Sequence, residues 1–312
     1  ITVDRKSIKA NLDCLFDYGY EIECTKTERI KKDGTKEIIT SNWYYNHEFD
    51  DSELRMMIDS ILFSKTIPAG QASELIKKIA GLSNIYFTNK MTHVSSLPGL
   101  EHTSNQQTLY NVGLIDDAIS EKKQISFVYN NYWEDKKLHP RREEPYIVNP
   151  YQMVANDGKY YLVCNYDKYD TLSNYRVDKM TQVKIINKPA KKRDKVKGME
   201  HGLNLPKHMA EHIYMFADEP VTIILRVKKS AISDIVDWFG SNFDVVDESI
   251  ARQYEGFRET TDAVTYVRLV CSRQAMSHWA MQYGTSVEVI YPTELRTQIG
   301  EAVKEMNNRY ND

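Results

Sequence analysis

Five short segments of alternating apolar and polar residues follow one another between residues 124 and 187. In the first, Ile125, Phe127 and Tyr129 fall on one face, because successive side chains of a strand point to opposite sides. An Asn-Asp-Gly turn at residues 156–158 is the tightest of the signals that separate the segments. The strands are predicted at residues 124–133, 144–155, 159–166, 172–178 and 182–187. Short strands joined by short turns predict a small half-open barrel or a strongly bent sheet.

Length and composition limit the classes of protein to consider. A chain of 312 residues predicts two or three domains. No apolar run approaches the roughly 18–20 residues that span a membrane, and no signal segment starts the chain, so we expect neither a membrane partner nor secretion. The four cysteines form no CxxC pair, which argues against zinc or disulfides and favours a reducing cytoplasm. The net charge of −3 neither predicts nor excludes nucleic-acid binding, because local basic patches carry it.

The chain opens with a short predicted helix. Ile8, Leu12 and Leu15 follow the spacing of one helical face, and Gly19 is typical of a helix end. An Asp-Gly turn at residues 33–34 then predicts a hairpin with a basic tip. A helix followed by such a hairpin is the second half of a winged helix-turn-helix, whose helix enters the major groove of duplex DNA.

Basic side chains on this helix and on the hairpin tip are the candidate DNA contacts. They are Arg5, Lys6, Ser7, Lys9, Lys31 and Lys32. The alternative is a surface helix whose basic face is only solvated.

Helices are predicted to bridge the two ends of the chain over residues 47–123. Asp50 or Asp51 caps the first, a second covers residues 71–82, and a third covers residues 109–122. Residues 83–108 are polar, contain turn residues and predict a loop or wrapping segment.

The last third of the chain predicts a separate α+β part. Residues 188–198 carry a run of charges that is typical of a solvated linker. Beyond it, after a short helix at residues 206–214, the order of elements is β-α-β-β-α-β-α, with a predicted strand at residues 244–253. That order is typical of a ferredoxin-like sandwich with an added tail helix.

The bent-sheet segment resembles the WYL domain of bacterial transcriptional regulators. The resemblance rests on "ISFVY", "YIVNPYQMVANDGKYYLV", "YRVDKM" and "VKII", and covers about residues 114–187. Tyr160-Tyr161-Leu162 stands where the family has Trp-Tyr-Leu, so the first position departs from the pattern. The resemblance implies an Sm-like bent sheet and a homodimer.

Both flanks resemble parts of the same regulators. The start resembles the end of a winged helix through Asp4, Arg5, Lys6, Ser7, Ile8, Leu15, Gly19, Tyr20 and Ile22. The end resembles the WYL C-terminal extension through Gly284, Val287, Glu288, Val289, Ile290, Pro292, Leu295 and Arg296. We therefore expect an α+β protein with a partial winged helix-turn-helix at residues 1–46, a helical bridge at 47–123, a small WYL barrel at 124–188 and a ferredoxin-like extension at 189–312.

A sheet that presents arginines and tyrosines suits a polyanion with flat bases. Arginine makes bidentate contacts with phosphate, and tyrosine offers a stacking platform worth about 1–3 kcal/mol per base. The resemblance points to Arg176 and to residues of the first strand and the following loop. By position, the candidate ligand residues are Ser126, His139, Arg141, Arg142, Tyr146, Tyr161 and Arg176.

Each candidate has a structural alternative. Ser126 and Tyr129 should face opposite sides of their strand, and Ser126 is preferred because Tyr129 shares the apolar face. Tyr161 is as well explained as a core residue, and Arg176 as the partner of Asp178. His139 can be a simple loop residue, and the Arg141-Arg142 pair can merely solvate its loop.

The predicted function is that of a transcriptional regulator rather than an enzyme. No nucleotide-binding, metalloprotease or serine-hydrolase motif is present, so no catalytic residue and no cofactor are expected. His208 and His212 have a metal-ligand spacing but lack a third ligand, so no metal is expected. The expected partners are a duplex DNA operator, a nucleotide or single-stranded nucleic-acid effector, and a second copy of the chain. The alternative is a single-stranded RNA- or DNA-binding accessory protein of a phage-defence system.

Overall fold

A computed structural model describes residues 4–84, 86–87, 103–259 and 263–311 of the chain. The described residues mix helix and sheet, which confirms the α+β prediction. They form two compact units, residues 1–103 and 104–312. The finer division into four parts stays a prediction.

The first unit opens with the predicted helix and hairpin. Helix α1 spans Arg5–Asp17, and strands β1, Ile22–Ile30, and β2, Lys36–Tyr45, pair antiparallel. Gly34 in the hairpin turn has a φ of +82°, a left-handed conformation that glycine adopts without strain. On α1, Ile8 and Leu15 are exposed within the described residues, so this apolar face is not part of a core there.

Two helices complete the described part of the first unit. Helix α2 spans Asp51–Phe63, and Asp50 and Glu53 form a reciprocal capping box at its start. Helix α3 spans Ala69–Ala80; it begins earlier than predicted because Pro68 serves as its N-cap. Buried side chains from both helices make a small core. Most of the loop predicted at residues 83–108 lies outside the described residues.

The second unit contains the curled sheet. Helix α4, Thr108–Ser120, precedes the strands. The strands are β3, Lys123–Tyr132; β4, Leu138–Pro140; β5, Tyr146–Asn156; β6, Lys159–Asn165; β7, Leu172–Arg176; and β8, Met180–Pro189. They run in the order β4-β3-β5-β6-β7, and β8 returns to pair with β3, so the sheet curls into a half-barrel.

The half-barrel differs from the sequence-based prediction at two places. The loop predicted between the first two strands contains β4, which pairs with the end of β3. The strand predicted to run to residue 178 stops at Arg176, where a 3₁₀ turn, Val177–Lys179, carries the chain across to β8. This turn decides the geometry of the site described below.

The inner face of the half-barrel is its core. Ile125 and Phe127 are fully buried there with Leu162, and Tyr129 packs on the same cluster, as the alternation predicted. Helix α4 contributes Ile115 to this core.

The outer face of β5 and β6 is also covered, which corrects the prediction of a solvated linker. Val196 and Met199 are buried against Tyr151, and Arg193 donates to the Tyr151 carbonyl over 2.8 Å. Further along, helix α5, Leu205–Glu211, packs on the same face. The charged residues at 188–198 therefore belong to a segment that packs against the half-barrel.

The rest of the unit is a four-stranded antiparallel sheet whose larger apolar core lies on one face. Its elements are β9, Pro220–Lys228; α6, Ile232–Phe239; β10, Phe243–Val246; α7, Glu248–Ala251; β11, Val264–Ser272; α8, Arg273–Gln282; β12, Val287–Tyr291; and α9, Thr293–Asn311. The strand order is β10-β11-β9-β12. The element order agrees with the predicted one, with one difference: the strand predicted at residues 244–253 is the short β10 followed by α7.

Candidate ligand site at the end of the half-barrel

The site is built around an ion pair that is taken out of water. The guanidinium of Arg176 makes two hydrogen bonds to the Asp178 carboxylate, Nε to Oδ1 at 3.1 Å and Nη2 to Oδ2 at 2.7 Å. The Asp178 side chain is 1% exposed and that of Arg176 is 24% exposed. Burial works against the charge on Arg176, but hydrogen bonding and attraction from Asp178 outweigh it and raise its pKa. Arg176 therefore has a structural role through its ion pair with Asp178, and about a quarter of its side chain remains exposed to solvent.

Lys179 stands beside this pair at the end of the 3₁₀ turn. Its ammonium is half-buried, and its pKa is lowered by burial and by repulsion from Arg176, Lys159 and Arg141. Three further cations are therefore near enough to act on the charge of Lys179, and two of them have carboxylate partners, Arg176 with Asp178 and Lys159 with Asp157. Like charges held together and partly desolvated favour the arrival of an anion.

Strand register explains how Arg176 reaches its neighbours. Arg176 on β7 is the cross-strand partner of Tyr161 on β6, and Lys159 lies two residues before Tyr161, so all three share the outer face. Tyr161 is 9% exposed and packs among apolar side chains, so it is a wall of the site rather than a stacking surface. The core alternative for Tyr161 thus describes it better.

Aromatic rings with free faces lie on the β3–β4 hairpin. Tyr132 is 40% exposed, and the Lys179 ammonium is 5.9 Å from the centre of its ring, within cation–π range. Trp133 is 63% exposed and stacks on His139 with 4.3 Å between ring centres. Sequence reasoning missed Lys179, Lys159 and Tyr132. The sequence feature that pointed to one of them was the Arg-Val-Asp-Lys run, which ends at Lys179.

Arg142 and Tyr146 do not belong to this cation cluster, which corrects the predicted site. The guanidinium of Arg142 donates to the carbonyls of Glu144 and Pro145 and lies 3.6 Å from the centre of the Tyr146 ring. Tyr146 is buried and stacks on Phe127. Both residues hold the β4–β5 loop on the core. Both arginines are exposed, but Arg141 differs because its charge acts on Lys179.

Ser126 and His139 also take other positions than predicted. Ser126 is the cross-strand neighbour of Ile147 and Lys184, both exposed, and is not a neighbour of Arg176. His139 Nε2 lies 2.8 Å from the Asp135 carboxylate, so it orders its own loop and supports the Trp133 ring.

The candidate DNA contacts lie in the first unit and stay predictions. Lys6, Ser7 and Lys9 are exposed on α1; the side chain of Arg5 lies outside the described residues. Lys31 and Lys32 are exposed at the hairpin, and Lys31 is 3.7 Å from Glu37.

His208 and His212 are buried on the outer face of the half-barrel. Their ring centres lie 4.6 Å apart with the planes tilted by 43°, His208 faces Asn174, and His212 Nδ1 lies 2.8 Å from the Phe216 carbonyl. No group of three metal-ligating side chains occurs in the described ranges. Burial lowers the pKa of His208 to about 4, with repulsion from His212 adding to it, and burial also lowers the pKa of His212.

Acid should therefore destabilise this unit. In the unfolded chain these imidazoles take up protons as the pH falls below their ordinary pKa of about 6.5. Folded His208 stays neutral until about pH 4, so the free energy of unfolding falls as the pH drops from about 6.5 to about 4. We expect His208 alone to account for a loss of about 2 kcal/mol between pH 8 and pH 5. Urea unfolding at the two pH values measures it, and His208→Gln should reduce the loss. The matched control is exposed His201→Gln; an equal pH response in all three proteins would contradict the prediction.

Within the part of the chain that the structure describes, no helix is long and apolar enough to cross a membrane.

Comparison with known proteins identifies two domains in the second unit. The WYL domain family model matches residues 111–185, and the WCX domain family model matches residues 219–306. No curated protein matches the chain. The WYL match begins inside α4 and takes in the whole half-barrel up to β8, and the WCX match covers the four-stranded sheet.

Two solved structures share a distant likeness. Proteasome accessory factor B/C (PafBC) of Arthrobacter aurescens is 14% identical over 86% of this chain and 39% of its own length, with a TM-score of 0.30. A protein described as CRISPR Cas-related is 13% identical over 99% of this chain and 74% of its own length, with a TM-score of 0.42. The chain thus spans about two-fifths of the PafBC chain. The chain thus contains a segment that matches the WYL domain family and, behind it, a segment that matches the WCX domain family.

Proposed function

We propose that this protein is a DNA-binding transcriptional regulator, not an enzyme, whose WYL domain senses a nucleic-acid or nucleotide-like effector and thereby modulates operator binding. The observation that carries the proposal is the group of Arg176, Lys179, Lys159 and Arg141 at one end of the half-barrel. The working form would be a cytoplasmic homodimer.

The chemistry of that end suits a phosphate chain with bases attached. Lys179 and Arg141 supply charge for phosphate oxygens, and counterions released from the nucleic acid favour the contact. Tyr132 and Trp133 offer ring faces on which bases of any sequence can stack. Arg176 supports the others, because its Nε and one Nη2 N–H are engaged by Asp178, which fixes the guanidinium in place.

The DNA-binding part of the proposal rests on α1 and the β1–β2 hairpin. Lys6, Ser7 and Lys9 are exposed along α1, in the arrangement of a recognition helix followed by a wing. A dimer can exist in forms that differ in the spacing of the two recognition helices. An effector that binds one form more tightly would shift the protein towards that form, and operator affinity would change accordingly.

Removing two cations of the site should weaken single-strand binding about 10²-fold. We expect Arg141→Gln with Lys179→Gln to lose two charge-assisted contacts, each worth about a factor of ten or more. The slope of log affinity against log salt should also decrease by about 1.4, at roughly 0.7 per phosphate contact on a single strand. Fluorescence anisotropy with a labelled oligothymidylate at several salt concentrations measures both.

The matched control replaces two exposed lysines elsewhere on the same domain, Lys168→Gln with Lys184→Gln. It changes the net charge equally and should leave affinity within about twofold. Equal weakening in both double variants would show that binding follows overall charge, and the effector site would then be rejected. For the operator, sequence-preferring and salt-sensitive gel shifts on promoter DNA are expected; their absence at every oligonucleotide concentration would reject the regulator.

A second candidate is a single-stranded RNA- or DNA-binding accessory protein without an operator. Charge balance in the hairpin favours it: Lys31 approaches Glu37 at 3.7 Å, and Lys36 bonds Glu28 at 3.1 Å, which reduces the positive field of the wing. Single-strand binding that Lys179→Gln weakens, together with no preference for any duplex, would favour this candidate over the regulator.

A further inference from the structure

Arginines gather beside the second face of the WCX sheet. Ile223, Leu225 and Val227 of β9 point into the larger core. Arg226 lies between them in sequence and therefore on the other face, directly across from Glu288 of β12. Ile224 and Ile290 of the same strands pack in a buried apolar cluster with Ala251 of α7, so this face is partly covered.

Three guanidinium groups surround the single carboxylate of Glu288. Arg296 donates from Nη2 to Glu288 Oε1 over 2.8 Å and from Nη1 to the Val289 carbonyl over 2.7 Å. Arg258 and Arg226 approach the same carboxylate at 3.6 Å and 3.8 Å, too far for hydrogen bonds. Three positive charges thus meet one negative charge, a local excess of two.

Two of these arginines have donors to spare. Each guanidinium carries five N–H groups and never loses its charge in proteins. The Nε of Arg226 is buried and has no hydrogen-bond partner among the described residues. A buried donor without an acceptor is destabilising, and an incoming acceptor would relieve this cost.

A cleft of about 450 Å³ adjoins the cluster, and Arg296 lines it. Thr293, Thr297 and Lys304 offer further donors along its wall, whereas Glu255 and Glu301 offset the charges of Lys304 and Arg296. Arg226 and Arg258 do not line the cleft, so the excess positive charge lies around Glu288 rather than along the cleft wall. Gly256 lines the cleft beside Arg296: a Cβ at that position would be 3.1 Å from the Arg296 guanidinium.

We propose that Arg226, Arg258 and Arg296 form an anion site in the WCX domain that binds a phosphate group. Guanidinium forks match the tetrahedral oxygens of phosphate and can bind it bidentately. The anion would occupy the side of the guanidinium groups that Glu288 leaves open, and Glu288 would keep Arg296 in place. The phosphate can come from free inorganic phosphate or from a nucleic-acid backbone. This site is separate from the cation cluster of the WYL domain.

Calorimetric titration of the full chain with inorganic phosphate, at ionic strength held constant with chloride, tests the proposal. We expect saturable binding that Arg258→Gln weakens about tenfold, the effect of losing one charge-assisted contact. Arg258 is 65% exposed and makes no hydrogen bond to Glu288, so its replacement should leave folding intact. Gly256→Ala should also weaken binding, because it displaces the Arg296 guanidinium without changing any charge.

The matched control is Arg309→Gln, an exposed arginine of α9 paired with Glu305. It should bind phosphate as the unaltered chain does. Equal affinity in the Arg258→Gln and Arg309→Gln proteins, or no saturable binding, would overturn the proposal. The phosphate affinities of Arg258→Gln and Arg309→Gln are then compared again in a protein that also carries Arg141→Gln and Lys179→Gln. This measures the effect of Arg258 without the cation cluster of the WYL domain, so the anion site and the proposed function can each fail independently.

Competition identifies the source of the phosphate. If inorganic phosphate displaces an oligothymidylate without terminal phosphate from the Arg309→Gln protein but not from Arg258→Gln, the site holds a nucleic-acid backbone. If inorganic phosphate binds and the oligothymidylate is not displaced, the site holds free phosphate. Both results support the anion site.

Discussion

Arg176→Ala should lower the free energy of unfolding by about 3–5 kcal/mol, although the residue lies at the edge of a ligand site. The substitution removes both guanidinium hydrogen bonds from Asp178, whose side chain is 1% exposed and stays buried with its charge. A buried carboxylate that loses its bidentate counter-charge incurs a large desolvation cost. Urea unfolding at pH 7.5, followed by circular dichroism, measures the loss.

A pair of controls separates charge burial from lost packing. Arg176→Gln with Asp178→Asn replaces the ion pair by two neutral amides of similar shape and should recover much of the stability. Exposed Arg309→Ala should change the free energy of unfolding by less than about 0.5 kcal/mol. A loss below about 1 kcal/mol for Arg176→Ala would mean that other contacts of Asp178 suffice to hold its charge.

Phe127→Ala should lower the free energy of unfolding by a similar amount, about 3–5 kcal/mol. Phe127 is fully buried, its ring stacks on Tyr146 with centres 5.6 Å apart, and it meets Tyr129 and Tyr175 edge-on. The Arg142 guanidinium lies over the ring of Tyr146. The cavity left by Phe127→Ala should therefore also loosen the β4–β5 loop. Thermal and urea unfolding give the stability change.

Phe127→Leu is the graded comparison, since it keeps most of the buried volume and should cost less than the alanine variant. Ile147→Ala is the surface control: Ile147 lies on the neighbouring strand β5 but is 51% exposed, so its truncation should cost under about 1 kcal/mol. Comparable losses for Phe127→Ala and Ile147→Ala would show that the described packing does not hold the half-barrel together.

Local patterns in the sequence were sufficient for the elements of the second unit. Alternation in β3 predicted that Ile125 and Phe127 face the core, because the two-residue period of a strand leaves only one choice of face. The pattern was insufficient where a strand ends: a strand was predicted over residues 244–253, yet α7 starts at Glu248 under the Asp247 cap. A side-chain hydrogen bond to the backbone decided against the strand there.

Residue type was a weaker guide to the site than to the fold. Arg141 and Arg142 are adjacent and chemically identical, yet one is exposed beside Lys179 and the other is held over Tyr146 by two carbonyls. Nothing in the sequence distinguishes them, because the difference lies in which residues the β4–β5 loop brings near each side chain. The basic run at residues 188–198 was misread for the same reason: Val196 and Met199 have a partner only once the sheet exists.

The bent sheet of short strands between residues 124 and 187 follows from the sequence alone, since strand period and turn chemistry are local properties. So does the WYL resemblance, which depends only on residue order and agrees with the match at residues 111–185. The convergence of Arg176, Lys179, Lys159 and Arg141 was decided only by the tertiary structure. It depends on a three-residue turn that ends β7 and sends the chain back to β3, and electrostatic interaction follows distance in space rather than separation along the chain.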